Sequence, residues 1–334
     1  MLGRVVGSCQ RYLSVLPSSS SRQTLAKDTY LAFPKQYGVL DRTTVRSLLI
    51  RLPLLFRGEF ETGVYPDEMH WREGISRDEA PREIVNSWKA DRTVARVVLS
   101  ADLGKLATIL GGWQSVRVAQ DDIVWKPPGC GPVAYHQDSA YISKQFSPAD
   151  NNSLTVWIAL DDTDESVGTI EYATFSPPPP GSSTLRPPQP PLPSLNSSPA
   201  FHGADPLTYR APAKAAAAAA ATEGGRGLAL SFQPISVGVG GCVVHLQDAW
   251  HGSGPNLSES RHRRALVVHF LRGDAVFIDG SVLEGSAGPT YIYGRYKRNG
   301  RNMLPEEAFP VTYSTDGYRT PWIDEYLRAG EGGQ

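Results

Sequence analysis

In YHQDSAYI, residues 135–142, an imidazole and a carboxylate stand two positions apart, His136 and Asp138. Side chains on a strand alternate between faces, so positions i and i+2 point the same way. Read as a strand, this stretch turns both groups into one cavity. Together they make two of the three ligands of a 2-His-1-carboxylate site, which binds non-haem Fe(II) with coordination positions left open. A His-x-Asp pair also arises by chance, so the reading needs a second histidine.

Six other histidines are available. His70 and His202 fall in loop or helical stretches. His245 and His269 stand in the apolar runs GCVVHL and VVHFL, where a satisfied core histidine is the ordinary reading. His262 sits in a charged run and reads as solvated. His251, in DAWHGSGPN, stands at a strand end among small residues, where a metal ligand and a close-approaching substrate fit. Downstream, RHRRALVVHF opens at Arg261, with Arg263 and Arg264 at the start of a β run. A guanidinium there can grip a carboxylate bidentately, as an oxo-acid co-substrate requires.

These residues need a scaffold. The front half reads helical: Asp41 can cap a helix beginning RTTVRSLLI. Ser76 and Glu79 have capping-box spacing for a helix running through Val85 and Trp88. Ser100 can cap ADLGKLATIL, which Gly111–Gly112 would stop. From about Val116 the pattern turns to short β-branched and aromatic runs: VRVAQDDIVW, VAYHQDSAYI, SLTVWIALDD, ISVGVGGCVVHL and RALVVHFLRG. That spacing suggests a barrel or sandwich, and outer helices would make the whole α+β. Between the runs, SPPPPGSSTLRPPQPPLPSLNSS (176–198) is a low-complexity tract, read as an insertion over about 176–200. Its PxxP-like spacing could dock an SH3 or WW domain weakly. AKAAAAAAA (213–221) favours a short helix.

Bulk properties narrow the classes. A net charge of −1 over 334 residues gives no reason to expect nucleic acid or a membrane surface as partner. Three well-separated cysteines form no disulfide framework. Residues 1–27 contain no acidic residue but carry Arg4, Arg11, Arg22, Lys27 and a serine cluster. This is transit-peptide composition, so a mitochondrial destination is expected; a chloroplast address is the alternative, and cytoplasm if the segment is not a leader. Residues 28–334 read as one domain. The closing GEGGQ is not a peroxisomal SKL-type signal.

WKPPG (125–129), YHQDSAYI, TVWIALDDTDESVGTIEY (155–172) and HGSGPN with RRALVVHF (251–270) resemble the phytanoyl-CoA dioxygenase family from about 30 to 325, apart from the proline tract. The resemblance implies a double-stranded β-helix (jelly-roll, cupin-like) with N-terminal helices packed outside. It also implies an Fe(II)- and 2-oxoglutarate-dependent dioxygenase that consumes O2, with ascorbate in support. His136, Asp138 and His251 match the iron ligands. Trp157 and Ser253 match 2-oxoglutarate contacts, and Arg263 matches the arginine for the distal carboxylate. Arg263 follows His251 by one residue more than the family's usual spacing, so Arg261 and Arg264 remain alternatives. After GTIEY the chain reads ATFSPPPP where family members often read PGSH. Related halogenases replace the carboxylate ligand with a small residue, so Asp138 argues for hydroxylation.

Trp125, Lys126 and Tyr141 flank the motif and are read as substrate contacts, although a lysine in a WKPPG turn is more often solvated. The expected reaction is hydroxylation of a small organic substrate, an acyl-CoA or another lipid-like or secondary metabolite, with release of succinate and CO2. Two rivals stand beside it: a Zn(II) hydrolase on the same ligands, and a non-catalytic protein binding through its proline tract.

Overall fold

The computed structural model describes residues 19–33, 38–176, 205–224, 229–279, 291–298 and 300–329. Residues 1–18 and the proline tract from 177 to 200 lie outside the described residues.

Helix α1 (Ser19–Asp28) and strand β1 (Tyr30–Phe33) lead into α2 (Arg42–Phe56). Strands β2 (Glu68–Met69) and β3 (Arg82–Val85) precede α3 (Arg92–Val98) and α4 (Ala101–Gly111). Next come β4 (Ser115–Lys126), β5 (Val133–His136), the single turn α5 (Ser139–Ile142), β6 (Phe146–Ser147), β7 (Ser153–Ala159) and β8 (Ile170–Ser176). Helix α6 (Ala211–Gly224) and β9 (Ala229–Pro234) follow, then β10 (Cys242–Leu246), β11 (His251–Ser253), β12 (Arg263–Arg272) and β13 (Val276–Phe277). The order closes with α7 (Tyr291–Gly294), β14 (Val311–Ser314) and α8 (Trp322–Arg328).

The strands form two main antiparallel sheets. The larger runs β1-β10-β7-β12-β4-β3-β2, with β14 also on β4; the smaller runs β5-β11-β8-β9. This is the expected double-stranded β-helix with helices outside. Alternation along β7 shows how the core divides. Leu154, Val156 and Ile158 face outward into one apolar cluster with Leu48 and Leu52 of α2, Val94 of α3 and Leu106 of α4. Trp157 and Ala159 face inward, into a second cluster with Ile170, Val243, Ala265 and Val267. The helices therefore cover one face of the large sheet and leave the other to line the interior.

Local sequence explains the covering helices. Asp41 caps α2 by accepting the Thr44 N–H at 2.7 Å. Ser100 caps α4 through the Leu103 N–H at 3.1 Å, and Gly112 ends it in a left-handed conformation. Both caps lie where the sequence puts them, and the alanine run forms α6.

One expectation is corrected. The Ser76–Glu79 spacing does not open a helix. Ser76 Oγ instead accepts the Arg72 N–H within a turn. Residues 82–85 form β3, paired in register with Asp122–Trp125 of β4, and Ser87–Lys89 make one 3₁₀ turn. Pro81 cannot extend a helix and β4 offers a free ladder, so pairing overrides the local signal. Within the stretch read as a leader, α1 buries Leu25 in the outer cluster.

Candidate metal and co-substrate site

His136 ends β5 and His251 begins β11, and the two are register partners. Their rings lie 4.2 Å apart between centroids. Each ring is oriented by its own backbone. His136 Nδ1 donates to the Ala134 carbonyl and His251 Nδ1 to the Ala249 carbonyl, both at 2.9 Å. A proton held on Nδ1 leaves the Nε2 lone pair free, the tautomer a metal ligand needs.

Asp138 reaches the same point by another route than strand alternation. The strand stops at His136, and Asp138 takes a helical conformation (φ −64°, ψ −29°) as the residue preceding α5. Its Oδ1 lies 3.7 Å from both His136 Nε2 and His251 Nε2. Donors about 2.1 Å from one ion can stand at most ~4.2 Å apart, so both edges fit a shared metal. The three residues place one donor atom each within 4.8 Å of one another, and they are the one such group among the described residues.

Electrostatics agree. Burial, with His251 alongside, holds the His136 imidazole down to about 3 and therefore neutral. Burial works against a charge on Asp138, but His251, His245 and His269 around it outweigh that and hold its carboxyl well below the usual range.

A second cluster sits two residues along β11. Ser253 Oγ accepts from Lys126 Nζ at 2.6 Å and from Arg263 Nη2 at 3.3 Å. Lys126 also donates to the Gly254 carbonyl at 2.6 Å, and Arg263 Nε to the Gly168 carbonyl at 3.1 Å. Lys126 and Arg263 are register partners on β4 and β12, and both are buried. Arg263 Nη1 is buried without a hydrogen-bond partner. Burial, then the neighbouring Arg263, pulls the Lys126 ammonium well down, and burial pulls Arg263 to about 10. Two adjacent buried cations with an unused N–H call for an anion. The Trp157 ring lies under the guanidinium, 5.7 Å from Cζ to centroid.

The three arginines differ in position. Arg261 is spent on Asp164 and the Asp162 carbonyl, and Arg264 on Asp161. Only Arg263 of the three is buried in the interior.

Two substrate contacts expected from sequence are corrected. Trp125 faces the outer side of β4, where it packs against Phe56 and its Nε1 donates to His262 Nδ1. Lys126, one residue on, faces inward, and it stands at the anion end rather than in solvent. Tyr141 does reach the metal end, donating to Asp138 Oδ1 at 2.6 Å. His245 and His269, read as ordinary core histidines, both point at Asp138, 3.4 and 3.5 Å from its Oδ2. Parity was the available signal: if Arg263 faces inward, so does His269, six residues further along the same strand.

The sequence profile of the phytanoyl-CoA dioxygenase (PhyH) family matches residues 64–187. No curated protein matches the chain. Among solved structures, the non-heme alpha ketoglutarate dependent epimerase SnoN from nogalamycin biosynthesis superposes with a TM-score of 0.58 at 17% identity, covering 88% of this chain and 97% of that one. The carbocyclase SnoK from the same biosynthesis gives 0.58 at 20% identity, over 88% and 96%. EctD from S. alaskensis with bound Fe gives 0.57 at 13% identity, over 87% and 88%. At such identities these likenesses establish the fold.

Proposed function

We propose, from the match of residues 64–187 to the phytanoyl-CoA dioxygenase family profile, that this chain is an Fe(II)- and 2-oxoglutarate-dependent oxygenase that hydroxylates a small organic molecule. The observation that carries the reading is the shared interior of the histidine–aspartate triad and the anion-seeking Lys126–Arg263 pair. From His251 to Ser253 is two residues of extended strand, roughly 7 Å. A five-carbon diacid held at both ends suits that span.

His136, Asp138 and His251 would hold the metal. Bound iron, with 2-oxoglutarate and O2, supplies oxidative decarboxylation to succinate and CO2 coupled to substrate oxidation. Arg263, Lys126 and Ser253 take the distal carboxylate. Trp157, Val267, Val243 and Ile170 line the interior between them with apolar surface, keeping water from the bound acid. Tyr141 stands at the metal end, placed to meet substrate. The basic stretch 1–27 supports a mitochondrial address, with any cleavage upstream of α1; imaging the full chain fused to a fluorescent protein at its C-terminus tests it.

The anion seat disfavours the zinc-hydrolase alternative, because a hydrolase leaves two buried cations unused. The test is turnover of 2-oxoglutarate labelled at C1, with Fe(II) and ascorbate. Labelled CO2 is expected from wild type and at least about 100-fold less from His136→Ala, whose removal breaks the triad. A wild type that releases none, yet hydrolyses esters with zinc, would overturn the proposal.

A further inference from the structure

Asp138 precedes helix α5 but makes no side-chain capping bond to it. Its backbone is helical there (φ −64°, ψ −29°), unlike the extended N-cap that aims a carboxylate at a helix's free N–H groups. The side chain instead meets groups from β7, β10 and β12. Thr155 Oγ1 donates to Asp138 Oδ2 at 2.8 Å. His245 Nε2 and His269 Nδ1 lie 3.4 and 3.5 Å from the same oxygen.

Each of these groups is aimed by another buried group. Thr155 has one hydroxyl hydrogen, and it goes to Asp138. The 2.9 Å contact between Thr155 Oγ1 and His269 Nδ1 must therefore be donated by the imidazole. His269 Nε2 faces Asp122 Oδ2 at 3.0 Å, so the opposite nitrogen donates as well. On the other side, the Tyr172 hydroxyl meets His245 Nδ1 at 2.8 Å. A phenol donating there puts the His245 proton on Nε2, which stands 3.4 Å from Asp138 Oδ2 without a formed hydrogen bond. Thr155, His245, His269, Asp122 and Tyr172 are all buried. The other carboxylate oxygen, Oδ1, accepts one bond, from Tyr141, and keeps a lone pair toward the two ligand imidazoles.

Resting on the metal reading above, we propose that Thr155, backed by His269–Asp122 and flanked by His245–Tyr172, is a positioning clamp that withholds Asp138 Oδ2 from the metal. Asp138 then ligates through Oδ1 alone. A carboxylate free to use both oxygens would consume a coordination position that the triad must leave open. The clamp touches neither metal nor co-substrate; it acts through Asp138.

Co(II) titration of the metal-free full-length protein tests this, because the Co(II) visible spectrum reports coordination number. Thr155→Val keeps the shape and deletes the donor. It should weaken Co(II) binding about 10- to 100-fold, the usual effect of losing a partner of a metal ligand, and change the visible bands. Thr155→Ser should restore both. Tyr172→Phe, which frees the His245 tautomer, should move the spectrum in the same direction and serves if Thr155→Val does not fold. Wild-type affinity and an unchanged spectrum in the folded Thr155→Val or Tyr172→Phe protein would overturn the clamp alone. So would failure of Thr155→Ser to restore what Thr155→Val loses. Wild type that shows no Co(II) site sensitive to His136→Ala would overturn the metal reading and the clamp together.

Discussion

Lys126 and Arg263 face each other as register partners on β4 and β12, two buried cations that share the hydroxyl of Ser253. Because Arg263 keeps a buried N–H without a partner, it should dominate recognition of the diacid. Arg263→Gln is expected to raise the KM for 2-oxoglutarate by about 100-fold, the order set by losing a buried charge-assisted contact of 2–3 kcal/mol. Arg261→Gln and Arg264→Gln, whose guanidiniums serve Asp164 and Asp161, should change it less than about threefold. Steady-state kinetics of the three variants decides; an effect confined to Arg264→Gln would reassign the site.

Gly168 supports that seat through its backbone. It caps the turn at Glu165–Val167 in a left-handed conformation, φ +68°, and its carbonyl accepts from Arg263 Nε. A Cβ there would lie 2.3 Å from the Gly254 carbonyl oxygen, itself a Lys126 acceptor. Gly168→Ala should cost about 2–4 kcal/mol, combining left-handed strain with backbone overlap. It should also raise the KM for 2-oxoglutarate. Urea unfolding and kinetics on one preparation would show whether the two losses travel together, and neither changing would refute the account.

Asp121 gives a pH signature away from the triad. Burial raises its carboxyl to about 7, against the Ser87 and Trp88 donors that pull the other way. The folded chain then holds a proton that the unfolded chain releases near 4. This group's stabilisation is complete below about 4 and is lost as pH rises to about 7, with a slope of up to about 1.4 kcal/mol per pH unit. Asp121→Asn removes the titration. Relative to it, wild type should lose urea resistance from pH 4 to 7 and then run parallel; parallel curves throughout would contradict the raised value.

What could be read in advance was local. Asp41, Ser100 and Gly112 carry their instructions in the adjacent residues, and α2 and α4 begin or end where those residues say. The histidine–aspartate–histidine set was also legible, because short motifs flank each member. Pairing between distant segments was not. The Ser76 signal lost to β4, a partner about forty residues away whose ladder no local window reveals. Asp138 arrived at the right place through a strand-to-helix break instead of the assumed strand.

His245 and His269 show the same limit. In their own runs they are polar residues among valines. Their meaning comes from Thr155, which is the register partner of both: β7 lies between β10 and β12. Trp125 and Lys126, read alike from the sequence, part for the same reason, since one step along β4 reverses the face.

Ser176 and Ala229 are the last register pair between β8 and β9. The chain thus departs from the barrel and rejoins it at neighbouring points on one ladder. For such an excursion, doubling the intervening length costs only about 0.6 kcal/mol of closure entropy. Length in this region is therefore nearly free, and the tract is the place where foreign sequence could be spliced in. The described part of the excursion returns to the sheet β5-β11-β8-β9: the Tyr209 carbonyl accepts the Tyr135 N–H and Arg210 pairs with Glu171, which anchors it beside the strand that ends in His136.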